Sequence, residues 1–203
     1  MQTQSIGVFG GTFDPPHLGH LILASEAAQQ LNLQKVLWVL APDPPHKDSA
    51  DITPLPHRLA MLERAAANQP RFEISRVEIN RPGPHYTVDT LRLLKEEFPQ
   101  AELTLLMGGD SLRDLPRWRD PAAIVNLVAR LGVMRRPNAA ARLDELEASL
   151  PGAAQKVHFI TALMQELSSQ ELRRRAASGG EYRCYLAPAV YEYIEENRLY
   201  HLP

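Results

Sequence analysis

Apolar positions along the chain fall into two alternating patterns. Short apolar runs occupy residues 5–9, 35–40, 103–107, 129–134 and 155–160. Runs of that length bounded by turn residues predict strands buried in a sheet. Residues 72–74 and 77–79 alternate apolar with polar side chains and predict strand with two distinct faces. Between the runs, apolar residues recur at helical spacing: Leu21, Ile22, Ala24, Ala27, Ala28 and Leu31; Leu59, Met61, Leu62, Ala65 and Ala66; Val88, Leu91, Leu94 and Phe98. A helical region carries Leu112, Leu115 and Trp118, and Asp120-Pro121 opens a short helix after it. Further helices are expected over 139–150, 171–177 and 188–197. Strands alternating with helices predict a doubly wound, Rossmann-like α/β fold with a parallel sheet of about five strands. One domain over 1–203 is expected, with 161–203 as a small C-terminal helical lobe closing over the carboxyl edge of the sheet.

The stretch Gly10-Gly11-Thr12-Phe13-Asp14-Pro15-Pro16-His17-Leu18-Gly19-His20 joins the first strand to the first helix. Two glycines let the backbone approach a bulky ligand. Asp14 is placed to cap the helix, and the prolines to pre-set its first turn. His17 and His20 then share one face of that turn, at the positive end of the helix dipole. Free N–H groups, the Thr12 hydroxyl and two imidazoles suit phosphate. Structural histidines beside a tight turn are the plain alternative. The joint occurrence of Gly-Gly-Thr, Asp-Pro and His-x-x-His between a strand and a helix favours phosphate. Zinc is disfavoured, because no cysteine or carboxylate stands in register with the two histidines.

Three other groups carry possible chemistry. Lys47 lies in Pro44-Pro45-His46-Lys47, just past the carboxyl end of the second strand, where open α/β sheets bind ligands. It is either a solvated loop lysine or a hand for a triphosphate. Ser168-Ser169-Gln170-Glu171-Leu172-Arg173 is either an ordinary capped helix start or a second phosphate grip. Trp118 is core or a stacking plate for a flat ring, with Thr87, which also caps its helix, reading the ring's substituent. Asp110, two residues past Gly108 at a strand end, could accept from a ribose hydroxyl.

Composition narrows the partners. Against 24 acidic residues stand 22 Lys and Arg, a formal charge of −2, which argues against nucleic acid or an anionic membrane surface as partner. Cys184 is the single cysteine, so no internal disulfide or cysteine-held metal cluster is available, and a reducing cytosol suits it. No apolar run approaches a bilayer span, and the polar N-terminus lacks a signal peptide's apolar core. A soluble cytoplasmic protein is expected, with homo-oligomerisation left open.

Gly-Gly-Thr-Phe-Asp-Pro-x-His-x-Gly-His resembles the signature of the nucleotidyltransferase superfamily. Pro-Pro-His-Lys, Arg81-x-Gly83-x-x-Tyr86-Thr87-x-Asp89-Thr90-Leu91, Gly108-x-Asp110-Ser111-Leu112, Trp118, Arg136-Pro137, Ser168-Ser169-x-x-x-Arg173 and Val190-x-x-Tyr193-Ile194 follow in order. Together they resemble the bacterial nicotinate-nucleotide adenylyltransferases over nearly the whole chain. Asn138, His85 and Gln170 depart from the family's commoner Gly, Ser and Thr. The resemblance implies adenylyl transfer from ATP to nicotinate mononucleotide, giving deamido-NAD and pyrophosphate in NAD synthesis. It implies catalytic roles for His17, His20, Lys47 and Arg173. Gly10, Gly11, Thr12, Phe13, Ser168 and Ser169 would bind ATP and its phosphates, and Thr87, Val88, Asp110, Trp118, Arg119 and Arg136 the acceptor nucleotide. Mg²⁺ would be bound through the ATP phosphates, with few protein ligands. Rival readings are the same chemistry on another phosphate acceptor, a silent nucleotide-binding regulator, and a structural subunit that binds no ATP.

Overall fold

Six strands, β1 (Ser5–Gly11), β2 (Lys35–Leu40), β3 (Phe72–Ser75), β4 (Glu102–Gly108), β5 (Arg130–Met134) and β6 (Val157–Ile160), form one sheet in the order β3-β2-β1-β4-β5-β6. All five neighbouring pairs are parallel. The structure is a computed structural model describing residues 4–43, 52–134, 143–163 and 167–201. The sheet has six strands against an expected count of about five, because the four-residue edge strand β3 also holds a full ladder with β2. Val77 to Ile79 do not extend β3. The chain turns after Arg76, whose carbonyl accepts the Asn80 N–H at 2.9 Å. β2 ends at Leu40 and offers no partner further along.

The chain runs from β1 out to β2 and β3, then crosses back to β4 and runs out the other way to β5 and β6. Connections from β1 and β4 therefore leave in opposite directions, which opens a crevice at their carboxyl ends. Helices α1 (Leu18–Gln30) and α2 (Leu55–Ala66) cover one face. Helices α3 (Thr87–Glu97), α4 (Gly109–Asp114), α5 (Pro121–Leu127) and α6 (Leu143–Ser149) cover the other. Alanines at 24, 27 and 28 let α1 sit close to the sheet over Trp38 and Phe9. Its buried face is Leu23, Ala24, Ala27 and Ala28, with Leu21 and Ile22 only half-buried. Helices α7 (Ser169–Ala177) and α8 (Pro188–Glu196) share a third apolar cluster, in which Leu172, Val190 and Ile194 meet Met61 and Ala65 of α2. No helix among the described residues is long and apolar enough to cross a membrane.

Candidate active site

A cavity of about 1350 Å³ opens at the carboxyl ends of β1 and β4. On one side stands the β1–α1 turn. His17 is the N-cap of α1 and His20 the third helical residue, and their rings stack at 3.7 Å. The His17 N–H donates to Nδ1 of His20 at 3.2 Å. An accepting Nδ1 carries no proton, so the proton sits on Nε2 and that nitrogen is a donor. Phe13 abuts the His20 ring edge-on at 5.1 Å, which fixes its plane. Two details of the expected turn are corrected. Pro15 and Pro16 precede α1 instead of forming its first turn, and Asp14 does not cap it. The Asp14 carboxylate is buried and accepts the Thr53 N–H at 3.1 Å and the Tyr200 hydroxyl at 2.6 Å.

Helix α7 supplies the opposing grip. Ser168 caps it, accepting the Glu171 N–H, so the cap is real. The hydroxyl of Ser169 donates to the Pro15 carbonyl at 2.9 Å, and Nη1 of Arg173 to the Asp14 carbonyl at 2.6 Å. These bonds dock the N-terminus of α7 on the β1–α1 turn. Two helix N-termini then meet at one cavity, which Gly10, Gly11, Thr12, His17, His20, Ser168, Ser169 and Arg173 all line.

Across the sheet, Thr87, Asp110, Trp118 and Arg119 line the same cavity. Trp118 packs half-buried against the α3 core, so it is core and cavity wall at once. The Arg119 guanidinium stands 5.7 Å over the Tyr86 ring. Thr87 does not cap α3 with its side chain; Tyr86 holds the N-cap position and Thr87 is the first helical residue. The side chains of Phe13 and Val88 lie in the core and do not line the cavity. Lys47, with His46, and Arg136 fall outside the described residues.

Sequence reasoning missed three residues here. Glu78 and His85 are buried yet line the cavity beside Tyr86. Burial pushes the Glu78 carboxyl above its ordinary range, opposed by the Thr90 hydroxyl that donates to it and by His85 and Arg81 nearby. Glu78 falls in the alternating stretch 77–79, whose pattern alone does not mark it as buried. Arg58, on α2, is 2 % exposed and among the described residues donates to main-chain carbonyls. No local signal marks it.

Burial holds the His17 imidazole down at about 4, against an ordinary value of 6.5. The unfolded chain therefore protonates first as pH falls, and stability drops between pH 6.5 and 4. The expected loss is about 3 kcal/mol relative to His17→Gln over that window, read from urea unfolding of both proteins. Parallel pH profiles for the two would overturn this.

Comparisons with known proteins bear on the site. Residues 8–175 match the cytidylyltransferase-like family model. A Thermomicrobium roseum protein named "Probable nicotinate-nucleotide adenylyltransferase" is 46% identical over 195 residues, covering 96% of this chain and 91% of its own. A protein of the same name from Roseiflexus sp. (strain RS-1) is 42% identical over 200 residues, covering 98% and 100%. Among solved structures, Plasmodium falciparum nicotinic acid mononucleotide adenylyltransferase complexed with NaAD matches with TM-score 0.81 over 97% of both chains. At 19% identity, that is a likeness of fold.

Proposed function

The chain belongs to the cytidylyltransferase-like family, and from that premise we propose how its cleft works. The protein is a nicotinate-nucleotide adenylyltransferase, transferring an adenylyl group from ATP to nicotinate mononucleotide with release of pyrophosphate, in NAD synthesis. The mononucleotide phosphate is already ionised at neutral pH and attacks the α-phosphorus in line. No general base or covalent intermediate is needed, so catalysis rests on positioning and on meeting charge as it develops.

The observation that carries the residue assignments is the meeting of two helix N-termini, α1 with its stacked histidines and α7 with Arg173, at one cavity. Nε2–H of His20 serves the α-phosphate and the oxygen that departs with pyrophosphate. His17, neutral in the free protein, and Thr12 hold phosphate oxygens. Ser168, Ser169 and Arg173 hold the outer phosphates, joined by Lys47. ATP enters with Mg²⁺ on its phosphates, and among the described residues no three His, Cys, Asp or Glu side chains are grouped to hold a metal themselves. The acceptor lies across β4, its ring on Trp118, its carboxylate at the α3 N-terminus near Thr87, and its ribose toward Asp110. Arg119, Arg136 and the main chain of Val88 complete that subsite, while Phe13 contributes main chain to the ATP-phosphate site.

A pyrophosphate-release assay with MgATP tests the reading. Nicotinate mononucleotide is expected to exceed nicotinamide mononucleotide in kcat/KM by about a hundredfold or more, ~3 kcal/mol of discrimination. Equal rates would remove the carboxylate from the assigned subsite. Release with neither would end the acceptor assignment.

A further inference from the structure

We propose that Arg58 is a positioning residue for adenylyl transfer, acting on His20 through the β1–α1 turn, with the Asp14–Tyr200 pair completing the same clamp.

The guanidinium of Arg58 is buried and satisfied by four carbonyls. Nε donates to Thr53 at 2.8 Å, Nη1 to Thr12 at 3.2 Å and Ala41 at 2.7 Å, and Nη2 to Pro42 at 2.6 Å. Those carbonyls come from the phosphate-binding turn, the exit of β2 and the lead-in to α2. Thr53 is shared, since its carbonyl accepts from Arg58 while its N–H donates to the Asp14 carboxylate. Asp14 is 2 % exposed and also takes the hydroxyl of Tyr200, near the C-terminus. Tyr200 is held in the left-handed region at φ 69. A tyrosine seldom adopts that conformation unless its surroundings hold it there.

The clamp grips Thr12 and Asp14, and Phe13 stands between them with φ 49, again left-handed. That backbone turns the Phe13 ring under the turn and against the edge of His20. The chain of contacts therefore runs from Arg58 and Tyr200 to the Phe13 backbone and from its ring to the catalytic imidazole. Without the guanidinium those four carbonyls would lose their donor, so Arg58 contributes to stability as well. What the planar fork adds is a fixed arrangement of carbonyls from three segments.

The inference rests on the role given to His20, and the test separates the two. Tyr200→Phe removes one hydroxyl and Arg58→Met replaces the cation by an apolar chain; Arg58→Lys keeps the charge without the fork. Each is assayed for kcat, KM of both nucleotides and melting temperature. Expected is a kcat about tenfold lower in Tyr200→Phe and about a hundredfold lower in Arg58→Met, with Arg58→Lys between wild type and Met. KM should move less than threefold, because a misplaced turn spoils the reacting geometry more than binding. Unchanged kcat in Tyr200→Phe, even with a lowered melting temperature, would overturn the proposal. That variant decides alone where Arg58→Met does not fold. A kcat loss in Tyr200→Phe with wild-type turnover in His20→Ala would keep the clamp as positioning and remove His20 as its target.

Discussion

Replacing His20 by alanine is expected to lower kcat about a thousandfold, while affinity for a non-hydrolysable ATP analogue stays within about threefold. Removing one preorganised donor to developing charge typically costs about a hundred- to a thousandfold in rate. The upper end is expected here for two reasons. The nucleophile needs no deprotonation, so no other group's acid–base work can mask the loss. The donor is also unusually well fixed: Nδ1 is occupied by the His17 N–H, and the ring lies between His17 stacked at 3.7 Å and Phe13 edge-on at 5.1 Å. Water in the space left by the ring could not be held at one orientation. Ground-state binding survives because the N–H groups of α1 and α7, Ser169 and Arg173 remain. Steady-state kinetics with nicotinate mononucleotide and calorimetry with the analogue check both halves. A kcat loss below tenfold would take His20 out of the transition state.

Why this donor was legible in the sequence, and its supports were not, comes down to range. Alternating apolar runs and helical spacings are local, and they marked every strand and helix that positions the cleft. A spacing of three positions from His17 to His20 also suffices to place both rings on one turn. Misreadings began where a side chain's partner lies far along the chain. Asp14 beside two prolines reads as a cap, yet its carboxylate is claimed by Thr53 and Tyr200, the latter 186 residues away. The Ser168–Arg173 stretch reads as an ordinary helix start or a phosphate grip, and nothing local shows that its bonds to Pro15 and Asp14 dock it on the first turn. Arg58 sits one residue before the inward-facing pattern of α2, and nothing local marks it as buried. Its burial depends on carbonyls of three segments that only the folded sheet gathers. Val77 to Ile79 failed differently: the pattern suits a strand, but at the sheet edge no neighbour remained to pair with it.

The adjacent glycines Gly10 and Gly11 are expected to fail in opposite ways when given side chains. At Gly11 an added Cβ would stand 2.9 Å from Cζ and 3.0 Å from Cε1 of Phe13. That ring is wedged against Phe9 and Trp38 and has little room to retreat. Gly11→Ala should therefore cost about 1–3 kcal/mol by overpacking, a fall of roughly 5 °C in melting temperature for a chain of this size. At Gly10 a Cβ would meet nothing within 4 Å, although the residue lines the cavity. Its backbone is extended strand, which a β-branched residue suits. Gly10→Val should melt at or slightly above the wild-type temperature, since the unfolded chain loses freedom. Its affinity for the ATP analogue should fall more than about a hundredfold, because the isopropyl group fills space that the nucleotide must enter. The pair separates packing from ligand clearance within one dipeptide, so neither result can be ascribed to general disruption. Wild-type nucleotide affinity in Gly10→Val would mean that the nucleotide does not cross the floor of this cleft, and the phosphate site would have to be sought away from β1.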